Sequence, residues 1–348
     1  MPGRDSMEYY ESRLTALERD FYRKIIQGFQ QWAPVVKSSY IVTMDSFKKC
    51  VHAVEYDRPD FFYVDFFNWT YRQDHDGWAL LPSYVYNQAE GTQKMQQFLS
   101  IAAGIKREID KAGMRTVYEK CNYIHSYLVK NCKYDYQAYA DLAHPQRYKK
   151  SYTLEGPLFY GIGVCQGISM AFRALCRKCS INAFMVEGKA ASLIHGSHGA
   201  YEDHAWNLVY MGDWSAQVDV TWDLCLSECV DFVKKDYFFI PDIDMAQDHR
   251  YIGYPPCKQI QMSYFDVNHL VITKLKDLDA IIKKDLFMGR RRLERGKHYI
   301  YFKVADPKLT FDKVQNYVVK KIEWYVRRKN ILIYHNEAIN TYLFDLTV

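Results

Sequence analysis

The sequence predicts an α+β fold in which a helix with a cysteine at its start lies against antiparallel strands carrying a histidine and an aspartate. Three observations predict it. The stretch GIGVCQG (161–167) sets Cys165 between glycines just ahead of a helical pattern, ISMAFRALCRKC, with Ile168, Phe172 and Leu175 on one face. HAWNLVYM (204–211) opens with His204 and alternates as a strand. AQVDVTWD (216–223) does the same around Asp219, and GDWS between the two reads as a turn.

The remaining elements follow in order. Residues 7–34 predict an amphipathic helix, because Leu14, Leu17, Phe21, Ile25, Phe29 and Trp32 recur every three or four residues and Pro34 ends it. The region 43–90, with DRPDFFYVDFF and WALLPSYVY, predicts strands from its alternation and aromatic content. Two helices follow at about 92–111 and 114–131, then an irregular connection at 143–157. After the Cys165 helix come a strand at NAFMVEG, a Gly/His/Ser-rich loop over 189–203, and a strand at YFFIPD. The tail, 297–348, reads strand, helix, strand, strand. Three regions are therefore expected: an N-terminal α/β region (1–112), a core (113–255) and a basic C-terminal α+β module (256–348).

Composition bounds the function classes. The chain has 348 residues, about half apolar and a quarter charged, as in an ordinary globular protein. No run approaches the length of a membrane span and no apolar leader opens the chain, so a cytoplasmic protein with no membrane partner is expected. The nine cysteines are odd in number and dispersed, which predicts reduced thiols. Residues 281–330 hold 15 Lys and Arg against 5 Asp and Glu, beginning near Arg290, Arg291 and Arg292. Such a stretch reads as a solvated face or as a surface for an acidic partner.

Chemistry concentrates in Cys165, His204 and Asp219. A helix start offers unpaired N–H groups and partial positive charge, which favour a thiolate. Adjacent antiparallel strands place His204 and Asp219 side by side. An imidazole there holds the thiol proton while the carboxylate fixes its tautomer and direction. The Cys165 N–H and a neighbouring donor would hold an oxyanion.

GVCQGISMAFRAL, VEG and HAWNLVYMGDWSAQVDVTWD, with IHSYLVKNCKYD and PLFYGIGVCQG upstream, resemble the transglutaminase-like superfamily, as seen in many bacterial and archaeal members. The resemblance covers about residues 114–250. It implies a papain-like α+β core and acyl-thioester chemistry. Cys165 would be the nucleophile, His204 the general base and then acid, and Asp219 the orienting carboxylate, with Trp206 and Trp222 packed around them. The implied activity is that of a protease, deamidase or glutamine crosslinker, with hydrolysis favoured for so bare a core. The implied partner is a protein or peptide substrate with a Gln or amide group. Neither a cofactor nor a metal is implied, and no EF-hand loop is present. In well-studied relatives a Gln or Trp upstream of the nucleophile completes the oxyanion hole. Here no Trp lies between Trp78 and Cys165, and no Gln between Gln146 and Cys165. Tyr160 is the nearest upstream side-chain donor, with Tyr152 further back.

Competing readings attach to several residues. Asp223 rivals Asp219, and Asp203 reads as a loop carboxylate. His195 and His198 could ligate zinc weakly, although a solvated or lid loop fits them better. Cys176/Cys179 and Cys225/Cys229 could make a zinc site, but the first pair lies inside a helix and fits buried thiols. Phe61, Phe62, Tyr63, Phe66, Phe67 and Trp69 form an N-terminal core or wall a cleft. The alternative to an enzyme is a non-catalytic binding or scaffold module whose basic tail takes the partner.

Overall fold

Helix starts are written in side-chain oxygens. In the computed structural model, which describes residues 8–38, 43–74, 77–192, 200–258, 261–286, 296–325 and 330–347, a short α1 (Tyr9–Ser12) precedes α2 (Ala16–Gln30). Thr15 and Glu18 form a reciprocal capping box at the start of α2. Thr43 caps α3 (Met44–Asp57), Asn87 caps α4 (Gln88–Lys111), and Thr116 with Glu119 boxes α5 (Val117–Asn131). A three-stranded sheet, ordered β1–β3–β2, completes the N-terminal part: β1 (Val36–Lys37), β2 (Thr70–Asp74) and β3 (Gly77–Leu81).

The expected strands over 43–90 are corrected here. Residues 44–57 are helical because Phe47, Cys50, Val51 and Val54 fall on one buried face. DRPDFFYVDFF is a 3-10 turn at Pro59–Phe61 followed by irregular chain. Its aromatic run serves two cores: Phe61 and Tyr63 pack with α2 and α3, while Phe62 packs with α4 and the Cys165 helix. Burial on both sides of a turn mimics strand alternation. WALLPSYVY does begin as strand β3.

After α5 come β4 (Lys133–Tyr134), α6 (Tyr136–Ala140), a 3-10 segment (Pro145–Tyr152), a π-helical turn (Gly156–Tyr160), β5 (Ile162–Gly163) and α7 (Cys165–Lys178). The main sheet then forms from β6 (Ala183–Ala191), β7 (Tyr201–Met211) and β8 (Trp214–Val218). α8 (Val220–Ser227), β9 (Phe238–Ile240), α9 (Asp242–Met245) and β10 (His249–Arg250) follow. Its order is β10–β6–β7–β8–β9, antiparallel throughout. Sequence neighbours β6, β7 and β8 are spatial neighbours, as short connections require.

The tail holds α10 (Tyr264–Val267), β11 (Val271–Ile272), α11 (Leu278–Leu286), β12 (Lys297–Val304), α12 (Phe311–Tyr325), β13 (Asn330–Asn336) and β14 (Thr341–Thr347). Its sheet runs β11–β12–β14–β13 with its own apolar cluster, including Ile300, Val318 and Phe344. Arg290, Arg291 and Arg292 lie outside the described residues. No helix among the described residues is long and apolar enough to cross a membrane.

α7 is the centre of the packing. Residues Gly167 to Cys176 are all buried, and Ile168, Phe172 and Leu175 share one cluster with Phe98, Ile105, Ile124, Leu128, Ala205 and Val209. Thus α4, which precedes residue 112, packs in the same core as α5, α7 and the sheet. One buried cation ties this core to the N-terminal part. Arg173 on α7 donates from Nε to Tyr56 O (2.8 Å) and from Nη2 to Asp57 O (2.9 Å) and Glu8 Oε2 (2.5 Å), and also bonds Ala183 O. Asp57 in turn accepts from the N–H groups of Tyr10 (3.1 Å) and Glu11 (2.8 Å) and from the Tyr22 hydroxyl (3.2 Å). Removing one partner of such a buried set strands the others without water. Arg173→Met should therefore lower unfolding stability by about 3–5 kcal/mol, read from the urea midpoint; a loss below about 1 kcal/mol would mean that Arg173 is not the tie.

Candidate active site

The site begins with the backbone of GIGVCQG. Gly161 ends the π turn at φ +66°, a conformation that costs a side-chain-bearing residue dearly. β5 then pairs in parallel with β4, so the chain entering α7 is held to the end of α5. The 3-10 segment crosses directly over the first turn of α7. Ser151 O accepts from Val164 N (3.0 Å), and a Cβ on Gly167 would lie 2.2 Å from the same oxygen. Only glycine allows that approach. Val164 occupies the N-cap and makes no side-chain cap. A Ser, Thr or Asp there would occupy the first-turn N–H groups; valine leaves them without a side-chain cap. Cys165 itself is half-buried.

His204 is the fourth residue of β7, and its Nε2 lies 2.6 Å from Asp219 Oδ2. The other ring nitrogen, Nδ1, is thereby left for the Cys165 sulfur, which also acts on this imidazole. Burial alone would lower the imidazole pKa. The Asp219 carboxylate and the Cys165 sulfur outweigh it and push His204 up to about 10. Asp219 moves the opposite way: burial would raise it, but His204 and His249 hold it well below the usual carboxylate range. Cys165, His204 and Asp219 are thus brought together as expected.

One expectation about Asp219 is corrected. It does not lie within a strand but caps α8, with Oδ1 accepting from Trp222 N at 3.0 Å. Aspartate is among the best N-caps, so the helix starts at once and VTWD leaves the sheet. Trp206 stacks on the His204 ring (5.7 Å, 21°), and Trp222 meets it edge-on (6.4 Å).

Tyr160 is also corrected. Its hydroxyl is committed to Lys94 (3.0 Å), Lys150 (3.1 Å) and Glu155 (3.3 Å), and those lysines lower its pKa. The phenols that sense Cys165 are Tyr134 and Tyr152, both raised by burial and by the sulfur's charge. Asp223, the rival carboxylate, bonds His125 Nε2 (2.8 Å) and Tyr237 N (3.0 Å) instead. Asp203 pairs with Lys189 at the surface. Cys176 and Cys179 are buried free thiols, while Cys225 is half-buried and Cys229 exposed. His195 and His198 lie outside the described residues.

His249 was not anticipated. Its Nε2 lies 3.1 Å from Asp219 Oδ2, thirty residues away in sequence, where no motif spacing points to it. His204, Asp219 and His249 bring ligand atoms within 4.8 Å of one another, the one such cluster among the described residues. A cation there would have to displace two hydrogen bonds to Asp219.

The raised His204 pKa has a sign. Its folded value lies above the unfolded 6.5, so its contribution to stability is complete below pH 6.5 and is lost as pH rises towards 10. Urea denaturation at pH 6, 8 and 10 should show wild-type stability falling more steeply than that of His204→Gln. Parallel pH slopes for the two proteins would contradict the buried imidazolium.

Residues 103–220 match the family model of the Transglutaminase-like superfamily. No curated protein matches the chain. Among solved structures, a TGase crystal structure is 12% identical over 53% of this chain and 49% of its own, with a TM-score of 0.31. A candidate cysteine protease from Cytophaga hutchinsonii is 14% identical over 44% and 61% of the respective chains (TM-score 0.25). A candidate protease from Parabacteroides distasonis is 10% identical over 80% and 56% (TM-score 0.24). The chain spans about half to three-fifths of the length of these structures. The matched segment holds Cys165, His204 and Asp219 within one α+β core, and it is this segment that is similar to the transglutaminase-like superfamily.

Proposed function

We propose that the protein is a cysteine-dependent acyl-transfer enzyme acting on carboxamide or peptide bonds of a protein or peptide substrate. The supporting observation is the buried His204, placed between the Cys165 sulfur and the Asp219 carboxylate and held strongly basic by both. The thiol proton passes to His204 Nδ1, and the thiolate attacks the carbonyl carbon. The oxyanion forms at the uncapped start of α7, where the Cys165 N–H and its first-turn neighbours replace the side-chain donor that Tyr160 does not supply. The His204 imidazolium gives its proton to the departing nitrogen, and ammonia or an amine leaves. The acyl group remains on sulfur as a thioester. Neutral His204 then takes a proton from the acceptor, which attacks the thioester and releases the thiolate. Water as acceptor makes the protein a protease or deamidase; a lysine amine makes an isopeptide crosslink. Product masses obtained with and without a primary amine separate these outcomes.

Reactivity is testable before any substrate is known. Iodoacetamide at pH 6 should label Cys165 at least about tenfold faster than Cys229, the exposed thiol that serves as internal control. His204→Ala should remove that advantage. A Cys165 that reacts no faster than Cys229, or only after unfolding, would favour a non-catalytic binding module instead.

A further inference from the structure

β10 is two residues long and forms the outer edge of the main sheet, pairing His249 with Ala190 and Arg250 with Lys189. Yet the His249 side chain is wholly buried, enclosed by the rings of Trp222 (4.7 Å), Trp206 (5.1 Å), His204 (5.5 Å) and Tyr237 (5.6 Å). Burying an imidazole demands partners for both nitrogens. Here both partners are carboxylates: Asp219 Oδ2 at 3.1 Å from Nε2, and Asp248 Oδ1 at 2.6 Å from Nδ1.

The proton count follows from the donor inventory. Asp219 is ionised and can only accept, so both imidazoles reaching its Oδ2 must present N–H. His249 Nε2 is therefore protonated. A neutral imidazole has no second N–H to give, yet Nδ1 also faces a carboxylate oxygen. The Asp248–His249 pair must hold one further proton, on the ring or on Asp248. The other Asp248 oxygen accepts the Tyr237 hydroxyl, to which Asn336 of β13 donates at 3.2 Å.

We propose that His249 is a positioning residue for the Cys165–His204 pair: by donating Nε2–H to Asp219 Oδ2, with its own ring fixed by Asp248, it sets the carboxylate that orients His204. This rests on the acyl-transfer reading above and adds a fourth side chain to it. Without His249, Oδ2 keeps one donor and the carboxylate loses its lateral restraint. His249 touches neither sulfur nor substrate, so its effect passes entirely through Asp219.

Two substitutions separate positioning from packing. The amide of His249→Gln can take the place of Nε2 and keep the bond to Asp219. The amide of His249→Asn takes the place of Nδ1 and keeps the bond to Asp248 alone. Cys165 alkylation is read against Cys229 at pH 6, below the unfolding midpoints of all three proteins. His249→Gln should stay within about threefold of wild type and His249→Asn should fall by about tenfold or more, the scale of a misplaced catalytic group. Equal retention in both variants, or equal loss in both while folded, overturns the proposal. A wild-type Cys165 with no advantage overturns the acyl-transfer reading as well, so the two failures are distinct. Should either variant not fold, the histidine ¹⁵N spectrum of the wild type decides. A protonated Nε2 on His249 between pH 6 and 8 supports the assignment, and a bare Nε2 overturns it.

Discussion

A single buried carboxylate organises this molecule. Asp219 is out of contact with solvent, and an ionised carboxylate so placed is costly unless its oxygens are occupied. Three donors occupy them: the N–H of Trp222, His204 Nε2 and His249 Nε2. Each comes from a different part of the local chain. Trp222 belongs to the helix that Asp219 starts, His204 to the neighbouring strand β7, and His249 to the far edge of the sheet. The carboxylate can therefore be satisfied only when sheet and helix are both in place.

The other half of the pair depends on a different constraint. Cys165 needs a helix start with open N–H groups, and an open helix start needs something to hold it. The 3-10 segment above it and β4 beside it do so through backbone bonds alone, which requires glycine at 161 and 167 and dispenses with a polar cap at 164. Behind the first turn, α7 is buried along nearly its whole length, and Arg173 fastens it to the N-terminal part. Cys165 thus sits at the start of a well-packed helix whose N-cap residue, Val164, offers no side-chain oxygen to the first-turn donors.

Much of this was legible in the sequence, for identifiable reasons. α7, β6, β7 and the strand–helix–strand–strand tail have strong periods or short turns between them. Cys165, His204 and Asp219 stand at starts and ends of such elements, where residue type carries meaning. Two of the errors share one cause, which is burial on more than one side. Residues 57–67 alternate because they feed two cores rather than one sheet face. Asp219 reads as strand because Val218, Val220 and Trp222 alternate with polar residues around it, whereas a local bond to Trp222 N decides the structure. Tyr160 stands out by its distance along the chain, but Lys94, which takes up its hydroxyl, comes from a helix more than sixty residues earlier. His249 had no signal at all, since its two partners meet only through the sheet.

A second buried histidine–aspartate pair shows what distinguishes the first. Asp223, one turn along α8 from Asp219, bonds His125 Nε2 at 2.8 Å, and both side chains are fully buried. There the other imidazole nitrogen meets Lys235 Nζ at 2.7 Å. Burial, with the lysine's charge added, drives His125 well below its usual pKa. An imidazole that accepts from a lysine and donates to a carboxylate is satisfied as a neutral group and has no proton-transfer partner left. His204 also has an aspartate behind it, but one held low by its imidazole partners where burial raises Asp223, and in front of it stands a half-buried thiol at an uncapped helix end. The two pairs share residue types, helix and depth. What separates the two histidines is the group on the second nitrogen: the buried Lys235 for His125 and the half-buried Cys165 for His204.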